Sequence, residues 1–207
     1  MLILTSSGQF IARNEEKVNK YLPKPLNDCK IAYITTAANR VDDRTYLETH
    51  EEKMDELGWD YTEIDIAGKT EEELTRIFSE YDIVLVEGGN TFYLLKAIRE
   101  SGFEKVIKEL IDQGLVYIGS SAGSYVACPS IIMAKWTNAN EKFDECGITD
   151  YTAMNLVPFL ILAHMNDERE KLLTEKKKET DLPVKALTDN QAVVVRDGNT
   201  QLLNDSS

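Results

Sequence analysis

The pattern most suggestive of chemistry lies in Gly119–Gly123, which reads GSSAG and matches GxSxG. It follows a predicted strand and precedes a helical pattern, which is the context of a nucleophile elbow. Small residues around Ser121 permit a sharp, strained turn that lifts the hydroxyl out of the backbone. The start of the next helix offers N–H groups, that of Ala122 first, for an oxyanion. The symmetric glycines favour Ser121 over Ser120 and Ser124, although a glycine-rich turn that only begins a helix has the same composition.

A second glycine-rich segment, Gly88–Phe92, reads GGNTF and also lies between a predicted strand and a predicted helix. Its glycines allow the backbone to approach a substrate closely, and the N–H of Gly89 is the second candidate oxyanion donor. Asn90 and Thr91 are suited to cap the helix and are our candidates for substrate binding. The segment lacks the GxGxxG and GxxxxGK[ST] spacings, so it does not indicate a phosphate loop. A turn with only a structural role would have the same sequence pattern.

A serine nucleophile needs a base, and the chain contains only two histidines. His164 follows the apolar run Phe159–Ala163, so we expect it at the end of a strand, where the active sites of parallel sheets lie. His50 lies among glutamates in the middle of a predicted helix, beside its apolar face. A partly buried structural role explains His50, and His164 is the predicted general base.

An acid is needed to orient the imidazole and to stabilise the imidazolium. Asp189 lies downstream, between two predicted strands. Asp144 and Asp150 lie upstream in an irregular segment, and Asp167 and Glu168 are too close to His164 in sequence to be favoured. Spacing alone does not choose among them, and a simple turn residue is the default interpretation of Asp189.

To act together, these residues need a sheet that brings the ends of several strands to one edge. Short apolar runs alternate with amphipathic stretches, which is typical of βαβ units. The predicted buried strands are Leu2–Thr5, Lys30–Thr36, Tyr61–Ile66, Asp82–Glu87 and Leu115–Gly119. The predicted helices are Asp42–Leu57, Thr70–Tyr81 and Asn90–Gly114, the last broken near Ser101 and Gly102. Parallel strands joined by helices predict an α/β fold, a three-layer α/β/α sandwich with a mostly parallel sheet.

The second half of the chain is less regular. Residues 129–152 are polar and without clear periodicity, which predicts a functional loop or lid. Apolar character returns over Ala153–His164, and a charged helix is predicted from about residue 166 to 180. The closing strands Val184–Leu187 and Ala192–Arg196 are predicted to form a hairpin-rich edge with Thr200–Leu203.

Composition limits the kind of protein. A chain of 207 residues fits one domain, residues 1–207, with a full core. With 36 acidic and 23 basic side chains the net charge is −13, which argues against nucleic acid or an anionic membrane as partner. Three cysteines without a CxxC pair predict free thiols and a cytoplasmic location, and no metal or other cofactor is expected. The start of the chain lacks the features of a signal peptide.

Taken together, Gly88–Phe92, Gly119–Gly123 and the isolated pair Ala163-His164 resemble the peptidase E (aspartyl dipeptidase) family of serine peptidases, which is related to cyanophycinase. The similarity extends over nearly the whole chain and includes Cys128–Ile131. The family fold is similar to the class I glutamine amidotransferase domain, a flavodoxin-like arrangement, with serine instead of cysteine at the elbow. Glutamine amidotransferase activity is therefore not expected.

The resemblance implies roles by position. Ser121 would be the nucleophile, His164 the base, and the N–H groups of Gly89 and Ala122 the oxyanion donors. The family acid, usually glutamate, falls on Asp189, whose side chain is one methylene shorter.

The resemblance also bears on the substrate. Members of the family share an arginine suited to an acidic side chain in the segment after the Cys-Pro pair. Here the nearby cation is Lys135, which is a point charge rather than a bidentate fork. A preference for N-terminal Asp would depend on that lysine.

We therefore expect a serine peptidase that hydrolyses short peptides, among them dipeptides with N-terminal Asp, as a monomer or homodimer. One alternative is an esterase of the α/β-hydrolase type, in which the acid precedes the histidine. Another is an α/β binding module without activity.

Overall fold

The computed structural model describes residues 1–137 and 145–205. Its main sheet contains seven strands in the order β3-β2-β4-β5-β1-β8-β9. These strands are β1 Leu2–Thr5, β2 Lys30–Ile34, β3 Asp60–Ile64, β4 Ile83–Val86, β5 Val116–Ser120, β8 Gln191–Arg196 and β9 Asn199–Asn204. The first five are parallel, and β8 and β9 form an antiparallel hairpin at one edge. A second sheet pairs β6 Leu160–Leu162 with β7 Val184–Ala186 in parallel.

Helices cover both faces of the main sheet. They are α1 Gln9–Arg13, α2 Glu15–Asn19, α3 Thr45–Glu56, α4 Glu71–Phe78, α5 Thr91–Ser101, α6 Phe103–Asp112, α7 Ala122–Ala127, α8 Ile132–Thr137 and α9 Asp167–Lys176. Thr70 and Glu73 form a capping box at the start of α4. The predicted break between α5 and α6 falls at Gly102, which has a φ of 73°. In the described parts of the chain, no helix has the length and apolar character needed to cross a membrane.

Two hydrophobic cores lie on opposite faces of the sheet, because successive side chains of a strand point to opposite sides. In β1, Leu2 and Leu4 belong to one core and Ile3 to the other. The first core includes side chains from α4 to α8, and the second includes side chains from α1, α2 and α3. The predicted three-layer α/β/α sandwich is therefore confirmed.

The carboxyl ends of three strands meet at one edge of the sheet. Thr5 pairs with Ser120 across β1 and β5, and Val86 pairs with Gly119 across β4 and β5. Residues that directly follow these strands are therefore neighbours in space. This edge collects the segments that the sequence marked as chemically significant.

The C-terminal half differs from the prediction. Within the segment predicted as a loop or lid, residues 132–137 form α8, and an isolated bridge joins Ser130 to Thr152. The strand predicted at 184–187 is not part of the edge hairpin, because β7 pairs with β6 instead. The hairpin consists of β8 and β9 alone.

Candidate active site

Ser121 lies at a sharp turn between β5 and α7. Its φ of 45° and ψ of −102° form a backbone conformation that residues with a side chain rarely adopt. Its N–H donates to the carbonyl oxygen of Thr5 at 3.1 Å, which anchors the turn to β1. Ala122 begins α7, so its N–H belongs to the first helical turn, where no acceptor within the helix exists. The turn has the form that the GxSxG pattern predicts.

The two glycines of the pattern are required by close packing. A Cβ atom on Gly123 would lie 2.1 Å from the carbonyl oxygen of Val86. A Cβ atom on Gly119 would lie 2.6 Å from the carbonyl oxygen of Gly123. Glycine at both positions therefore lets α7 approach β4 and β5 closely enough to form the turn.

The GGNTF turn lies directly against Ser121. A Cβ atom on Gly88 would be 3.2 Å from the Cβ of Ser121. Gly89 has a φ of 137°, and a Cβ there would be 2.5 Å from the carbonyl oxygen of Ala37, so this position requires glycine on both counts. The turn thus brings the backbone of Gly89 to the same edge as the first turn of α7.

Three side chains form a continuous chain of hydrogen bonds. Ser121 Oγ is 3.0 Å from His164 Nε2, and His164 Nδ1 is 2.7 Å from Asp189 Oδ1. His164 follows β6, and Asp189 lies between β7 and β8. The structure therefore brings together the three residues predicted as nucleophile, base and acid.

The charge of Asp189 determines which imidazole nitrogen carries the proton. The hydrogen bond from His164 lowers the pKa of the Asp189 carboxyl to about 2, with help from the Ser6 hydroxyl and the positive charge of Arg169 and against the effect of burial. The carboxylate is ionised at neutral pH and can only accept hydrogen bonds, so the donor Nδ1 of His164 carries the hydrogen. In the neutral imidazole, Nε2 then faces Ser121 with a free lone pair.

Ser6 is a fourth member of this network, which the sequence reasoning missed. Its hydroxyl donates to Asp189 Oδ1 at 2.6 Å and accepts the backbone N–H of His164 at 2.6 Å. The side chain is fully buried, directly after β1 in the middle of the sheet. Its position at a strand end beside the elbow is the signal that could have drawn attention to it.

Further contacts hold the backbone before His164. His164 has a φ of 55°, which is uncommon for a residue other than glycine. Arg169 Nη1 donates to the carbonyl oxygen of Ala163, and the N–H of Ala163 donates to the hydroxyl of Tyr125 at 3.2 Å. The imidazole is therefore presented from a fixed backbone.

A cavity of about 290 Å³ opens beside Ser121 and His164. It is lined by the segment from Ser6 to Gln9, by Val41, Tyr46, His50 and Glu87, by Gly88 and Gly89, and by Ser120, Ser121 and His164. Its volume is just below the range of about 300–1,000 Å³ for small-molecule sites. Among the described lining residues, neither lysine nor arginine occurs.

Comparison with known proteins assigns the chain to a family. The family model for peptidase family S51 matches residues 2–203. The chain belongs to peptidase family S51. This S51 chain is 31% identical over 170 residues to uncharacterized peptidase Lin0382 of Listeria innocua, a match that covers 81% of the chain and 80% of that relative. It is also 31% identical over 155 residues to peptidase E of a Nostoc species, covering 75% of the chain and 58% of the relative.

Structural comparison gives the same assignment. The crystal structure of a candidate peptidase E from Listeria monocytogenes EGD-e matches with a TM-score of 0.83 at 27% sequence identity, over 99% of this chain and 98% of that one. The S51 chain is therefore a peptidase, of the serine type by family, and the resemblance to peptidase E is confirmed.

The residues predicted to contact substrate lie in different surroundings. The Asn90 side chain accepts the N–H of Tyr93 at 3.0 Å and caps α5, and Thr91 is buried as the first residue of that helix. Lys135 lies on α8, where its ammonium group pairs with Glu145 and lies 5.9 Å from the centre of the Tyr151 ring. None of the three lines the cavity beside Ser121 as the described residues form it.

Asp150, one of the alternative acids, is not brought to His164. Asp150 is exposed, and its carboxylate is 3.5 Å from Arg99 Nη2. Asp144 lies outside the described residues. The order Ser121, His164, Asp189 along the S51 chain places the acid after the histidine, unlike the order of the α/β-hydrolase esterases.

Cys29 and Cys128 are free thiols, as predicted. Cys128 is fully buried seven residues after Ser121, and burial raises the pKa of its thiol to about 12. Such a thiol is protonated at neutral pH and is a poor nucleophile. The chemistry of this S51 site therefore centres on the serine.

Proposed function

We propose that this S51 peptidase hydrolyses short peptides through a Ser-His-Asp triad formed by Ser121, His164 and Asp189. The observation that carries the proposal is the unbroken chain of hydrogen bonds from the Ser121 hydroxyl through the imidazole to the ionised carboxylate. The strained turn at Ser121 supports the same role, because it exposes the hydroxyl beside the cavity.

The reaction would proceed in two halves. Ser121 Oγ attacks the scissile carbonyl while His164 Nε2 takes its proton, and Asp189 stabilises the imidazolium. The N–H groups of Gly89 and Ala122 hold the tetrahedral oxyanion. His164 then protonates the leaving amine, which leaves an acyl group on Ser121. A water molecule attacks this ester with His164 again as base, and the acid product departs as Ser121 regains its proton.

Replacement of Ser121 tests the nucleophile. We expect Ser121→Ala to abolish peptide hydrolysis and labelling by a fluorophosphonate, since both need the hydroxyl. The unfolding midpoint should change little. Ser79→Ala, an exposed serine whose hydroxyl donates to the Arg76 carbonyl at 2.8 Å, is the matched control and should keep full activity. Undiminished turnover by Ser121→Ala would refute the proposal.

Two features of the cavity bear on substrate choice. Its small volume favours a short peptide. The resemblance implies a preference for N-terminal Asp, but an acidic side chain needs a cation, and the described lining residues supply none. Two arginines beside the triad are engaged with backbone oxygens, Arg13 with that of Asp189 and Arg169 with that of Ala163.

We therefore propose that peptides with a neutral first residue are hydrolysed at least as well as those with Asp. The test is a panel of dipeptide amides that begin with Asp, Glu, Asn, Ala or Leu, with kcat/KM measured for each. A rate for the Asp substrate more than tenfold above that for Asn would contradict a neutral preference. In that case Lys135→Gln, compared with Lys96→Gln on the surface of α5, would decide whether Lys135 provides the cation.

A further inference from the structure

A second histidine–carboxylate pair lies beneath the catalytic cavity. His50 Nδ1, on α3, is 2.6 Å from Glu87 Oε2, directly after β4. His50 is 1% exposed and Glu87 is 3% exposed, yet both contribute to the lining of the cavity beside Ser121. The sequence pattern predicts His50 on a helix face, and the proposed triad chemistry uses neither residue.

The Glu87 carboxylate is bonded to both loops that form the catalytic turn. Its Oε1 accepts the backbone N–H of Gly88 at 2.8 Å, directly before the proposed oxyanion donor Gly89. The Ser120 side chain also hydrogen-bonds to Glu87, directly before Ser121. One buried carboxylate therefore joins the GGNTF turn to the nucleophile elbow.

The carboxylate carries a charge despite its burial. Burial alone would raise the pKa of Glu87, but the attraction and hydrogen bond of His50, with the bonds from Ser120 and the Gly88 N–H, outweigh it and lower the pKa to about 2. A buried carboxylate of this kind is stable only while its hydrogen-bond donors remain in place. Loss of His50 would remove the largest of the effects that lower the pKa of Glu87. Loss of Glu87 would leave His50 Nδ1 without its hydrogen-bond partner.

The backbone at Gly8 passes close to the pair and leaves no room for a side chain there. A Cβ atom on Gly8 would lie 2.6 Å from Glu87 Oε2 and 2.8 Å from His50 Nδ1. The φ of Gly8 is −57°, which any residue adopts, so the backbone does not require glycine there. Glycine is needed because the chain passes directly over the hydrogen bond between the two side chains.

We infer that His50 and Glu87 are positioning residues for the oxyanion hole, with Glu87 setting the spacing between Gly89 and Ser121 and His50 holding Glu87. The inference rests on the proposed function, since it concerns the same nucleophile. The competing explanation is that the pair only stabilises the packing of α3 on the sheet. A purely structural pair would affect the unfolding midpoint and leave the chemistry of the folded enzyme unchanged.

The experiment compares four variants of the pair with two controls. The variants are Glu87→Ala, Glu87→Gln, His50→Ala and His50→Asn. Glu52→Gln removes an exposed carboxylate from the same helix, and Ser101→Ala removes a buried hydroxyl that bonds to the Ala97 carbonyl at 2.7 Å, at the far end of α5. For each we would measure the unfolding midpoint, kcat and KM at a temperature where the variant is folded, and the rate of Ser121 phosphonylation by a fluorophosphonate.

A displaced catalytic group costs about 100-fold in rate. We expect a loss of about that size in kcat and in phosphonylation rate for Glu87→Ala and His50→Ala, with KM changed less than threefold. Glu87→Gln keeps an oxygen acceptor for the Gly88 N–H, and His50→Asn keeps a donor close to the position of Nδ1. Both conservative variants should therefore react about ten times faster than the matching alanine variants.

If the alanine variants fail to fold, the expected result is a rate about tenfold below that of the wild-type protein for Glu87→Gln and His50→Asn. The two controls should react at the wild-type rate even where the midpoint falls.

The outcomes separate the inference from the proposed function. If wild-type protein is not phosphonylated at Ser121, the proposed function itself fails. If wild-type protein is phosphonylated and the folded pair variants react equally fast, the positioning role is wrong while the triad stands. A rise in KM with unchanged kcat and phosphonylation would equally overturn it, because that would make the pair part of substrate binding.

Discussion

Asp189 reaches the imidazole of His164, the proposed base, although its side chain is one methylene shorter than the glutamate that the family resemblance leads one to expect. The turn between β7 and β8 carries its backbone close enough for a 2.7 Å hydrogen bond to His164 Nδ1. Arg13 holds that turn by donating to the Asp189 carbonyl oxygen at 2.9 Å. The shorter acid is thus compensated by the position of the loop.

We expect Asp189→Asn to reduce kcat by about 10³-fold or more, because an amide cannot stabilise the imidazolium and permits the wrong tautomer. Steady-state kinetics on a dipeptide amide would measure the loss. Asp150→Asn, which removes an exposed carboxylate next to Arg99, is the control and should change kcat less than twofold. If Asp144→Asn proved more damaging than Asp189→Asn, the acid would be wrongly assigned and the esterase-like order would be favoured.

Ser6 contacts the proposed triad through Asp189 and the backbone of His164. Removing its hydroxyl in Ser6→Ala deletes one hydrogen bond to an ionised carboxylate, a contribution of about 1.5 kcal/mol. We therefore expect kcat to fall about tenfold. Ser6→Thr keeps the hydroxyl and should retain more activity than Ser6→Ala, as measured with the same substrate. Equal activity of Ser6→Ala and wild-type protein would show that Asp189 is held without it.

At the scale of the elements, the catalytic turn depends on how closely α7 packs on β4. A Cβ in Gly123→Ala would meet the Val86 carbonyl oxygen at 2.1 Å, so the helix must move away from the strand. We expect the free energy of unfolding to fall by about 1–3 kcal/mol or more, and kcat to fall with it because Ser121 directly precedes the same helix. Urea unfolding and kinetics would measure both.

The matched control for that change is Gly58→Asn. Gly58 has a φ of 71° and open space around its Cβ position, and asparagine tolerates this conformation. We expect a loss of less than about 1 kcal/mol and unchanged kcat. A Gly123→Ala variant as stable and active as Gly58→Asn would contradict the packing argument.

The sequence was sufficient for elements whose signal is local. Apolar runs predicted the parallel strands, and the Thr70–Glu73 capping box and Gly102 marked helix ends correctly. The five-residue helices α1 and α2 were missed, because helices so short are stabilised by tertiary packing rather than by their own propensity. The pairing of β7 with β6 was also missed, since strands of three residues leave no pattern that specifies a partner.

The candidate site also contains residues that a local sequence signal predicts and residues that only tertiary contacts bring together. The elbow and His164 follow strands, so their position could be predicted from the sequence. Ser6 lies 183 positions from Asp189, and His50 lies 37 positions from Glu87. A serine near the start of a chain and a glutamate after a strand are too common to indicate such contacts. Only the fold reveals them.

At the scale of the whole molecule, the pH dependence of stability provides a specific test of the ionised state of Glu87. Its pKa is lowered from 4.5 to about 2 in the folded protein, so its ionised form stabilises the fold above about pH 4.5. That contribution decreases as the pH falls from about 4.5 and is lost by about pH 2. Glu87→Gln cannot titrate at this position. We expect the advantage of wild-type protein over Glu87→Gln in free energy of unfolding to be largest at pH 5–7 and to shrink below pH 4.5.

Urea unfolding at pH 7, 5, 4 and 3 would measure this difference, and the general effects of acid cancel because both proteins share all other carboxylates. Asp189, whose pKa is also lowered to about 2, contributes in the same direction, although its side chain is 55% exposed and solvent weakens its effect. Glu87→Gln should leave that contribution in place. A difference between the two proteins that stays constant with pH would contradict the ionised state of Glu87.

The strand order has a consequence for how the protein is made. β1 lies in the sheet between β5 and β8, so it gains its second neighbour only when residues 191–196 have been synthesised. The proposed acid, Asp189, directly precedes that strand, and its serine partner directly follows β1. The proposed triad therefore cannot assemble until residues 191–196 have been translated. By this geometry, chains whose translation is interrupted before Asp189 lack the proposed acid, and we expect them to be inert towards peptides.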